Sequence, residues 1–523
     1  MGISRKSLAA FAWPLLAVGL LIYAWLQGRP HQYPDAPAGE FACLSYTPRS
    51  GTGIADIHAQ IDRDLQQLVQ RTHCVRTYSV SNGLDYVPEA ARKLGMRVLL
   101  GIWIGSNLEA NEQEIAQAIK TANAHRDVID AIVVGNEVLL RREQSADVLY
   151  GLLQQVRAAT QLPVTYADVW DFWLKNPKLA EVSDFISIHI LPYWDDEPVD
   201  IDHALEHVEN IYAQVRQKFP GRRIYVGETG WPSEGRQREG AKPSVLNQAR
   251  FTREFIAFAS ANNIPYNFIE AYDQPWKKRL EGTVGGYWGL YDATGQEKFP
   301  LAGQVVADAQ WWRGPLLGLI CSALTWICLR RISRQNLPAC IYAGFCFGAA
   351  LLWQSDYAWR SNRNWQEWLG LSSWALIGHA AFISIMYSLC VGSSSNREHP
   401  DHPSQKFIYS RIDNGLLLAL IFGASYINLG LIFDARYRDF PSLFILLPTI
   451  ALLLRRYCAR MPPNGGIEST LLCSWLLLSA PIIVLNEGFN NLNACLWSAL
   501  CLLLSGSLLP ALQSTRPQQH AQQ

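Results

Sequence analysis

Hydrophobic and polar residues alternate in two different ways along the 523-residue chain. Between about residues 40 and 308, short apolar runs rich in β-branched residues recur, with amphipathic stretches between them. Residues 314–512 consist mostly of longer apolar runs divided by short polar loops, and a further run of about 19 apolar residues covers Leu8–Leu26. Because a run of that length can cross the hydrocarbon core of a bilayer, the pattern predicts one soluble domain joined to a membrane region.

Eight apolar runs in the soluble region are predicted to be β-strands. They are Phe41–Pro48, Val75–Val80, Arg97–Ile104, Ala131–Leu139, Pro163–Val169, Phe185–Leu191, Arg223–Thr229 and Tyr266–Ala271. Helical spacing separates them, as where Ile57, Ile61 and Leu65 share one face. Eight strand-then-helix units in about 270 residues match a (β/α)8 barrel. The predicted fold class is therefore α/β, a TIM barrel over 41–308 followed by an all-α polytopic membrane region. A doubly wound open sheet is disfavoured, because no Gly-x-Gly-x-x-Gly turn follows the first strand.

The remaining segments are assigned by length and composition. Residues 1–27 are predicted to be an uncleaved signal anchor, because the apolar run ends in the interfacial string Tyr23-Ala24-Trp25-Leu26. Residues 28–40 carry three prolines and are predicted to be a linker. Residues 309–512 are predicted to hold about seven membrane helices, and 513–523 a cytoplasmic tail. The candidate spans are 314–329, 338–354, 369–391, 414–433, 440–454, 469–486 and 491–512.

The distribution of basic residues predicts the orientation of these spans. With the N-terminus in the cytoplasm, the inside segments carry 12 basic residues and the outside loops between spans carry 4. Inside lie Arg5, Lys6, Arg330, Arg331, Arg334, Arg397, Lys406, Arg411, Arg455, Arg456, Arg460 and Arg516; outside lie Arg360, Arg363, Arg436 and Arg438. The positive-inside rule therefore places the barrel on the outer side of the membrane, away from the cytoplasm.

The net charge bears on the expected binding partners, and the cysteine content bears on one candidate disulfide. The chain has 45 basic and 45 acidic residues, so its net charge of zero gives no reason to expect nucleic acid as a partner. Cys43 and Cys74 are the cysteines of the soluble region, near the starts of two consecutive predicted strands. They are expected to form either a disulfide, in an oxidising compartment, or two buried thiols.

Two glutamates lie where predicted strands end. Glu137 ends the fourth strand in Val134-Gly135-Asn136-Glu137, and Glu228 ends the seventh in Val226-Gly227-Glu228. The carboxyl ends of barrel strands carry catalytic residues, and two carboxylates facing one pocket are the minimum required to break or make a glycosidic bond. The alternative is a structural pair of carboxylates that cap helices or bind Arg76 or Arg141. Asn136 is expected to hydrogen-bond a substrate hydroxyl.

Further side chains near these strand ends are candidates for substrate contact. Arg76, His189 and Tyr193 are expected to separate the pKa values of the two glutamates, so that one holds a proton and the other does not. The alternative for His189 is a buried core histidine whose ring nitrogens are hydrogen-bonded by other protein groups. About half of a set of aromatic residues are expected to stack on sugar rings, the others being core residues. This set is Tyr78, Trp103, Trp170, Trp231, Trp276 and Trp288.

Two patterns point to other chemistry and are given little weight. His203-Ala-Leu-Glu206-His207 matches the H-x-x-E-H pattern of zinc peptidases but lies in an amphipathic helix, with the histidines expected on its solvated face. Asp195-Asp196-Glu197 is the acidic cluster nearest a strand end, and no Gln-x-x-Arg-Trp string accompanies it, so nucleotide-sugar chemistry is not predicted. No metal and no cofactor are expected.

Several strings resemble those of glycoside hydrolase family 17, the β-1,3-glucanase and licheninase family. They are Gly135-Asn136-Glu137, Gly227-Glu228-Thr229-Gly230-Trp231-Pro232-Ser233, Phe268-Ile269-Glu270-Ala271-Tyr272-Asp273-Gln274-Pro275-Trp276-Lys277 and Gly286-Tyr287-Trp288-Gly289-Leu290-Tyr291. The membrane region and the Asp-Gln-Pro-Trp-Lys string resemble the bacterial membrane-bound branch called β-(1,6)-glucan synthases. This resemblance implies a multi-pass protein of the bacterial inner (plasma) membrane with its catalytic domain in the periplasm. The resemblance implies that Glu137 is the acid/base and Glu228 the nucleophile. Asp273, Trp276 and Lys277, after strand eight, are expected to bind sugar hydroxyls.

The expected function is remodelling or branching of periplasmic β-1,3/β-1,6-glucan by transglycosylation, through a glycosyl-enzyme intermediate. The alternatives are simple endo-β-1,3-glucan hydrolysis, or a non-catalytic glucan-binding or transport component. The expected partners are a β-glucan substrate, the lipid bilayer and a glucan synthase or export system.

Overall fold

The chain forms two units, each described here separately. The computed structural model describes residues 5–49, 56–331, 336–391, 403–457 and 466–509. One unit is Pro30–Ala307, and the other combines Met1–Arg29 with Asp308–Gln523.

The first unit is a closed barrel of eight parallel strands. Each strand pairs with the one before it in the chain, and β1 pairs with β8 at Leu44 and Phe268 to close the barrel. The strands are β1 Leu44–Ser45, β2 Cys74–Arg76, β3 Arg97–Ile102, β4 Ile129–Asn136, β5 Val164–Val169, β6 Ile186–His189, β7 Ile224–Thr229 and β8 Tyr266–Phe268. The predicted TIM barrel is confirmed, with β1 and β8 shorter than expected.

Helices follow the strands and cover the outside of the barrel. The longer ones are Ile57–Leu68, Val87–Lys93, Leu108–Ala124, Ala146–Thr160, Ala204–Lys218 and Val245–Ala261, and Trp170–Lys175 and Lys278–Glu281 are shorter. Asp56, Asn107, Ser145 and Ser244 cap four of them, since each side chain accepts a backbone N–H of the first turn. Their apolar faces, such as Ile61, Leu65 and Leu68, are fully buried against the strands.

Alternation along the strands separates two apolar clusters. Leu44, Val98 and Ile132 belong to the large core, which also contains the helix faces. The residues of opposite parity, Leu99 and Ala131, pack instead in a small cluster with Cys43, Phe185 and Tyr225. Because successive strand residues point to opposite faces, this small cluster is the apolar floor of the barrel interior. Above it the interior becomes polar, and the carboxyl ends of the strands carry charged groups.

Two segments show features that the sequence left open or misassigned. Cys43 and Cys74 form a disulfide, with their Cα atoms 4.5 Å apart, at the bottom of β1 and β2. The predicted linker 28–40 is not a simple linker, because Pro30–Gln32 pairs antiparallel with Gln304–Val306. That pairing brings the two ends of the barrel unit together, and its partner strand lies about 270 residues away, beyond the reach of local patterns.

The second unit is helical. Its helices are Arg5–Gly28, Arg313–Leu329, Leu337–Ser361, Trp365–Val391, Pro403–Phe433, Ser442–Tyr457, Ile467–Glu487 and Leu492–Leu508. Five contain segments long and apolar enough to cross a membrane: Phe11–Gly28, Leu337–Ser361, Trp365–Leu389, Asp413–Phe433 and Ile467–Glu487. Arg313–Leu329 and Leu492–Leu508 are shorter apolar helices. Each helix overlaps one of the eight predicted spans; Arg334, Arg397, Arg460 and the tail 513–523 lie outside the described residues.

Candidate active site

Glu137 occupies the first position after β4, in an unusual backbone conformation. Its φ is +53°, and that of Gly135 is +82°. A Cβ on Gly135 would lie 2.8 Å from the Val138 side chain, so this turn requires glycine there. The Glu137 N–H donates to the Ala167 carbonyl of β5 at 2.8 Å. A left-handed glutamate held this way at a strand end is the kind of local strain that collects at functional sites.

Glu228 lies within β7 and is almost fully buried, with 4% of its surface exposed. Its Oε1 accepts hydrogen bonds from the Tyr78 hydroxyl at 2.9 Å and from an Arg76 Nη1 at 3.2 Å. A buried carboxylate is costly unless it is paired and hydrogen-bonded, and both conditions are met here. The carboxylate is therefore held in one position by a cation and a phenol.

His189, the last residue of β6, lies between the two glutamates. Its Nδ1 is 2.8 Å from Glu137 Oε1, and its Nε2 is 3.6 Å from Glu228 Oε1. One oxygen of each glutamate and a nitrogen of His189 all lie within 4.8 Å of one another. The barrel thus brings together three groups that are separated by up to 91 positions in the sequence.

Arg76 connects both sides of this group. Its guanidinium donates to the Gly227 carbonyl at 2.7 Å and to Asn136 Oδ1 at 2.5 Å, besides its contact with Glu228. It also lies over the Tyr78 ring, 4.8 Å from the centroid. Arg76 is 1% exposed, so its positive charge interacts with these buried groups and not with solvent. Asn136 Oδ1 accepts a hydrogen bond from Arg76, and this contact fixes the orientation of the Asn136 amide.

The electrostatics of Glu137 differ from the sequence-based expectation. Burial raises its pKa, but the hydrogen bond and charge of His189, with Arg141 and Arg76, outweigh burial, and the pKa is lowered below its ordinary value. This direction is opposite to the raised pKa expected for the proton-holding member of the pair. Nearby, burial raises the pKa of Asp168 on β5 to about 6, although the Tyr166 hydroxyl donates to it.

A second acidic group, not predicted, follows β8. Glu270 is 1% exposed, and its Oε2 accepts from Lys277 Nζ at 2.7 Å. Burial raises the pKa of Glu270, and burial raises that of Glu281 to about 7, with the charges of Glu228 and Glu137 contributing to the latter. The position of Glu270 near the carboxyl end of the eighth predicted strand, Tyr266–Ala271, was the available signal. Lys277 therefore binds a buried carboxylate, with 16% of its side chain exposed.

The other residues predicted to contact substrate differ in how far their side chains are exposed. Trp276 is 48% exposed and can offer a ring face. Tyr193 and Trp231 are fully buried; the Tyr193 hydroxyl donates to the Arg236 carbonyl, and the Trp231 indole donates to the Lys242 carbonyl. Asp273 is 2% exposed and pairs with Lys298 at 2.8 Å. Tyr193, Trp231 and Asp273 are thus held by protein groups, and their contact with substrate stays a prediction.

The carboxylates and His189 have the donor set of a metal site, but the neighbouring charge does not suit a cation. Arg76 already lies 3.2 Å from the Glu228 oxygen that would bind the ion, and a guanidinium there repels a divalent cation. In the H-x-x-E-H helix the histidines bind separate partners, His203 with Asp200 and His207 with Asp195. The geometry at the barrel mouth favours acid–base and nucleophilic chemistry by the side chains themselves.

Comparison with known proteins agrees with this description. Residues 43–289 match the model of the BtgE/BtgC glycoside hydrolase domain. The chain is 25% identical over 280 residues to a glucan 1,3-β-glucosidase of Saccharomyces cerevisiae, covering 48% of this chain and 88% of that protein. It is 30% identical over 237 residues to a glucan 1,3-β-glucosidase of Schizosaccharomyces pombe, covering 41% and 72%. It spans 45% of the longer Aspergillus fumigatus relative named "Probable beta-glucosidase btgE".

A solved structure is also similar. The family 17 β-1,3-glucanosyltransferase of Rhizomucor miehei is 27% identical, with 50% of this chain and 97% of that chain covered and a TM-score of 0.45. The barrel of this chain is a glycoside hydrolase domain. The chain belongs to the glucan-active glycoside hydrolases that include the BtgE/BtgC domain and the glucan 1,3-β-glucosidases.

Proposed function

We propose that the protein is a membrane-anchored, retaining enzyme that remodels or branches β-1,3/β-1,6-glucan by transglycosylation. The observation that carries the proposal is the spacing of Glu137 and Glu228, whose nearest oxygens lie within 4.8 Å. Retaining enzymes hold their carboxyl groups about 5–5.5 Å apart, whereas inverting enzymes leave about 6.5–9.5 Å for a water molecule. The pair is therefore set for attack by one carboxylate on the sugar itself.

Glu228 is the proposed nucleophile. Arg76 and Tyr78 hold its Oε1, and the opposite side of the barrel mouth presents Glu137. Attack by the Glu228 carboxylate on the anomeric carbon breaks the glycosidic bond and forms a glycosyl ester. Both contacts to Glu228 neutralise or polarise its charge, so they also favour departure of the carboxylate in the second step.

Glu137 is the proposed acid/base, acting together with His189. The 2.8 Å contact between His189 Nδ1 and Glu137 Oε1 holds the Glu137 carboxyl in one orientation. Glu137 gives a proton to the leaving oxygen in the first step and takes one from the incoming hydroxyl in the second. With 23% of its side chain exposed, Glu137 faces the open side of the site.

Transfer to a sugar is tested by following products. The full-length protein in detergent is incubated with laminari-oligosaccharides at high concentration, and early products are sized and analysed for linkage. We expect longer or branched products, with β-1,6 bonds as the new linkage. The Glu228→Gln variant, which lacks the proposed nucleophile, serves as the negative control. Early products that are only shorter, with added acceptors never incorporated, would mean that the enzyme is a β-1,3-glucan hydrolase instead.

The proposed location is the plasma membrane of a bacterium, with the barrel in the periplasm. The helix Arg5–Gly28 precedes the barrel, and Arg313–Leu329 follows it, so membrane segments flank it on both sides in the chain. The basic residues Arg330 and Arg331 end the latter helix on its predicted cytoplasmic side.

Reporter fusions test this orientation. A reporter that folds only in an oxidising compartment is expected to be active when fused after Ala309 and inactive when fused after Arg331, because one span separates the two positions. A cytoplasmic reporter should give the reverse pattern. Cytoplasmic activity of the Ala309 fusion would contradict the proposed location.

A further inference from the structure

Two buried polar residues of β5, Tyr166 and Asp168, lie behind the barrel wall, on the side of the helices. Tyr166 belongs to the large core, and its ring lies 5.9 Å from that of Trp173 in the helix Trp170–Lys175. Asp168 is two positions further along the strand and therefore points to the same face. It pairs with Ile188 of β6, another residue of that core. Both side chains are almost completely buried.

The two side chains form one hydrogen-bonded unit that ends on the turn after β4. The Tyr166 hydroxyl donates to Asp168 Oδ2 and accepts the Leu139 N–H at 2.9 Å. Asp168 Oδ1 accepts the Val169 N–H at 2.8 Å, which fixes the carboxylate. A hydroxyl has one proton, so donation to Asp168 directs its lone pairs toward the Leu139 N–H. Asp168 thus orients the phenol, and the phenol holds the turn. We call these two residues the Tyr166–Asp168 pair.

The turn after β4 depends on contacts of this kind because regular strand pairing is interrupted there. The register between β4 and β5 shifts in the last residues of β4. Glu137, in its left-handed conformation, donates its N–H to the carbonyl of Ala167, the residue after Tyr166. A Cβ on Gly135 would lie 3.5 Å from the Tyr166 ring, so the ring packs against the backbone of the turn as well. Consecutive residues of β5 therefore hold the segment that carries Glu137.

The buried carboxylate of Asp168 also interacts with the charges of the catalytic group. Burial raises its pKa to about 6; the hydrogen bond from Tyr166 and the charge of His189 act to lower it, and the charge of Glu137 acts to raise it. A carboxylate in such a position costs folding free energy, and an apolar side chain of similar volume would pack there at lower cost. Asp168 provides what an apolar residue lacks, a fixed acceptor for the Tyr166 hydroxyl.

We propose that Tyr166 and Asp168 are positioning residues for Glu137, which keep its carboxyl aimed at the oxygen of the scissile bond. This inference rests on the proposed function, in which Glu137 is the acid/base. A general acid must lie within hydrogen-bond reach of the atom it protonates, and a misplacement of about 1 Å can cost about 100-fold in rate. His189 orients the Glu137 carboxyl itself, whereas the Tyr166–Asp168 pair holds the backbone that carries it.

The test compares two donors in variants of the full-length protein in detergent. Tyr166→Phe and Asp168→Ala should each lower kcat for laminari-oligosaccharides about 10- to 100-fold, with KM near the wild-type value, because sugar contacts are unchanged. The burst of phenol from an activated aryl glycoside should stay within about twofold of wild type, since that leaving group needs no proton. Asp168→Asn keeps an acceptor oxygen for Tyr166 and should retain more activity than Asp168→Ala.

Two further variants show whether the pair acts as a unit and whether lost stability explains the effect. Tyr166→Phe combined with Asp168→Ala should be no slower than the slower single variant, because each removes the same support of the turn. Tyr46 is a matched control, since it is equally buried, lies in the same core and donates to the buried Asp64 at 3.1 Å. Tyr46→Phe should lower the unfolding temperature about as much as Tyr166→Phe, yet keep wild-type rates with both donors.

The outcomes separate this inference from the proposed function. Glu137→Gln, measured alongside, should show the same contrast between donors more strongly. If Glu137→Gln shows it while the Tyr166 and Asp168 variants slow both donors equally, or neither, the inference is overturned and Glu137 stands as the acid/base. If Glu137→Gln lacks the contrast, the acid/base assignment fails and this inference fails with it. The same contrast is expected of a protein that only hydrolyses, because hydrolysis also needs the acid/base.

Discussion

Glu228→Gln should reduce turnover of β-1,3-glucan oligosaccharides by about 10⁴-fold or more, since the amide cannot form the glycosyl ester. Glu137→Gln should cost about 10²–10⁴-fold for natural substrates, the range of general acid–base catalysis. The loss in Glu137→Gln should largely vanish for the first step with an activated aryl glycoside, whose leaving group needs no proton. Initial rates and the burst of released phenol measure both effects.

Azide distinguishes the two roles. Added to Glu137→Gln with an aryl donor, azide should speed turnover and give a product with retained anomeric configuration, because it attacks the glycosyl-enzyme without needing a base. With Glu228→Gln any azide product should be inverted. Glu254→Gln, which alters a carboxylate paired with Arg250 on the outer helix, should keep wild-type rates. A fully active Glu228→Gln protein would exclude the assignment.

Arg76→Met should be both inactive and unstable. The arginine is 1% exposed and provides the cation next to Glu228, so its loss leaves a buried carboxylate without its ion pair. Breaking a buried pair typically costs about 3–5 kcal/mol of folding free energy. We also expect turnover to fall at least about 100-fold, because the position of Glu228 and the Asn136 contact are lost together. Thermal unfolding and initial rates of the full-length protein measure the two effects.

A double variant identifies the source of the instability. Arg76→Met combined with Glu228→Gln should be more stable than Arg76→Met alone, because neutralising Glu228 removes the unpaired charge. Arg92→Met breaks the exposed pair with Asp127 and should leave the thermal unfolding temperature close to the wild-type value. If the double variant is no more stable than Arg76→Met, lost packing rather than the charge explains the effect.

Much of the fold and the two glutamates could be predicted from sequence because their signals are local. β-Branched runs separated by helical spacing define strands and helices within windows of about ten to twenty residues. In a parallel barrel every strand ends at the same face, so Glu137 and Glu228 could be placed at one mouth despite the 91 positions between them. The apolar helices that are long enough to cross a membrane were predictable for the same reason, since hydropathy and length are local quantities.

The charge environment of the site depended on tertiary structure. Arg76, Asn136 and Glu228 lie on three different strands, and only barrel closure makes Arg76 their common partner. Sequence could name Trp231 and Tyr193 as aromatic but not show that they are buried. Nor could it show that His189 would lower the pKa of Glu137. Local patterns in the sequence were enough to name the residues at the barrel mouth. Burial and distance depend on every strand being in place, so only the folded barrel shows which of these residues contact the two glutamates and which are buried among other groups.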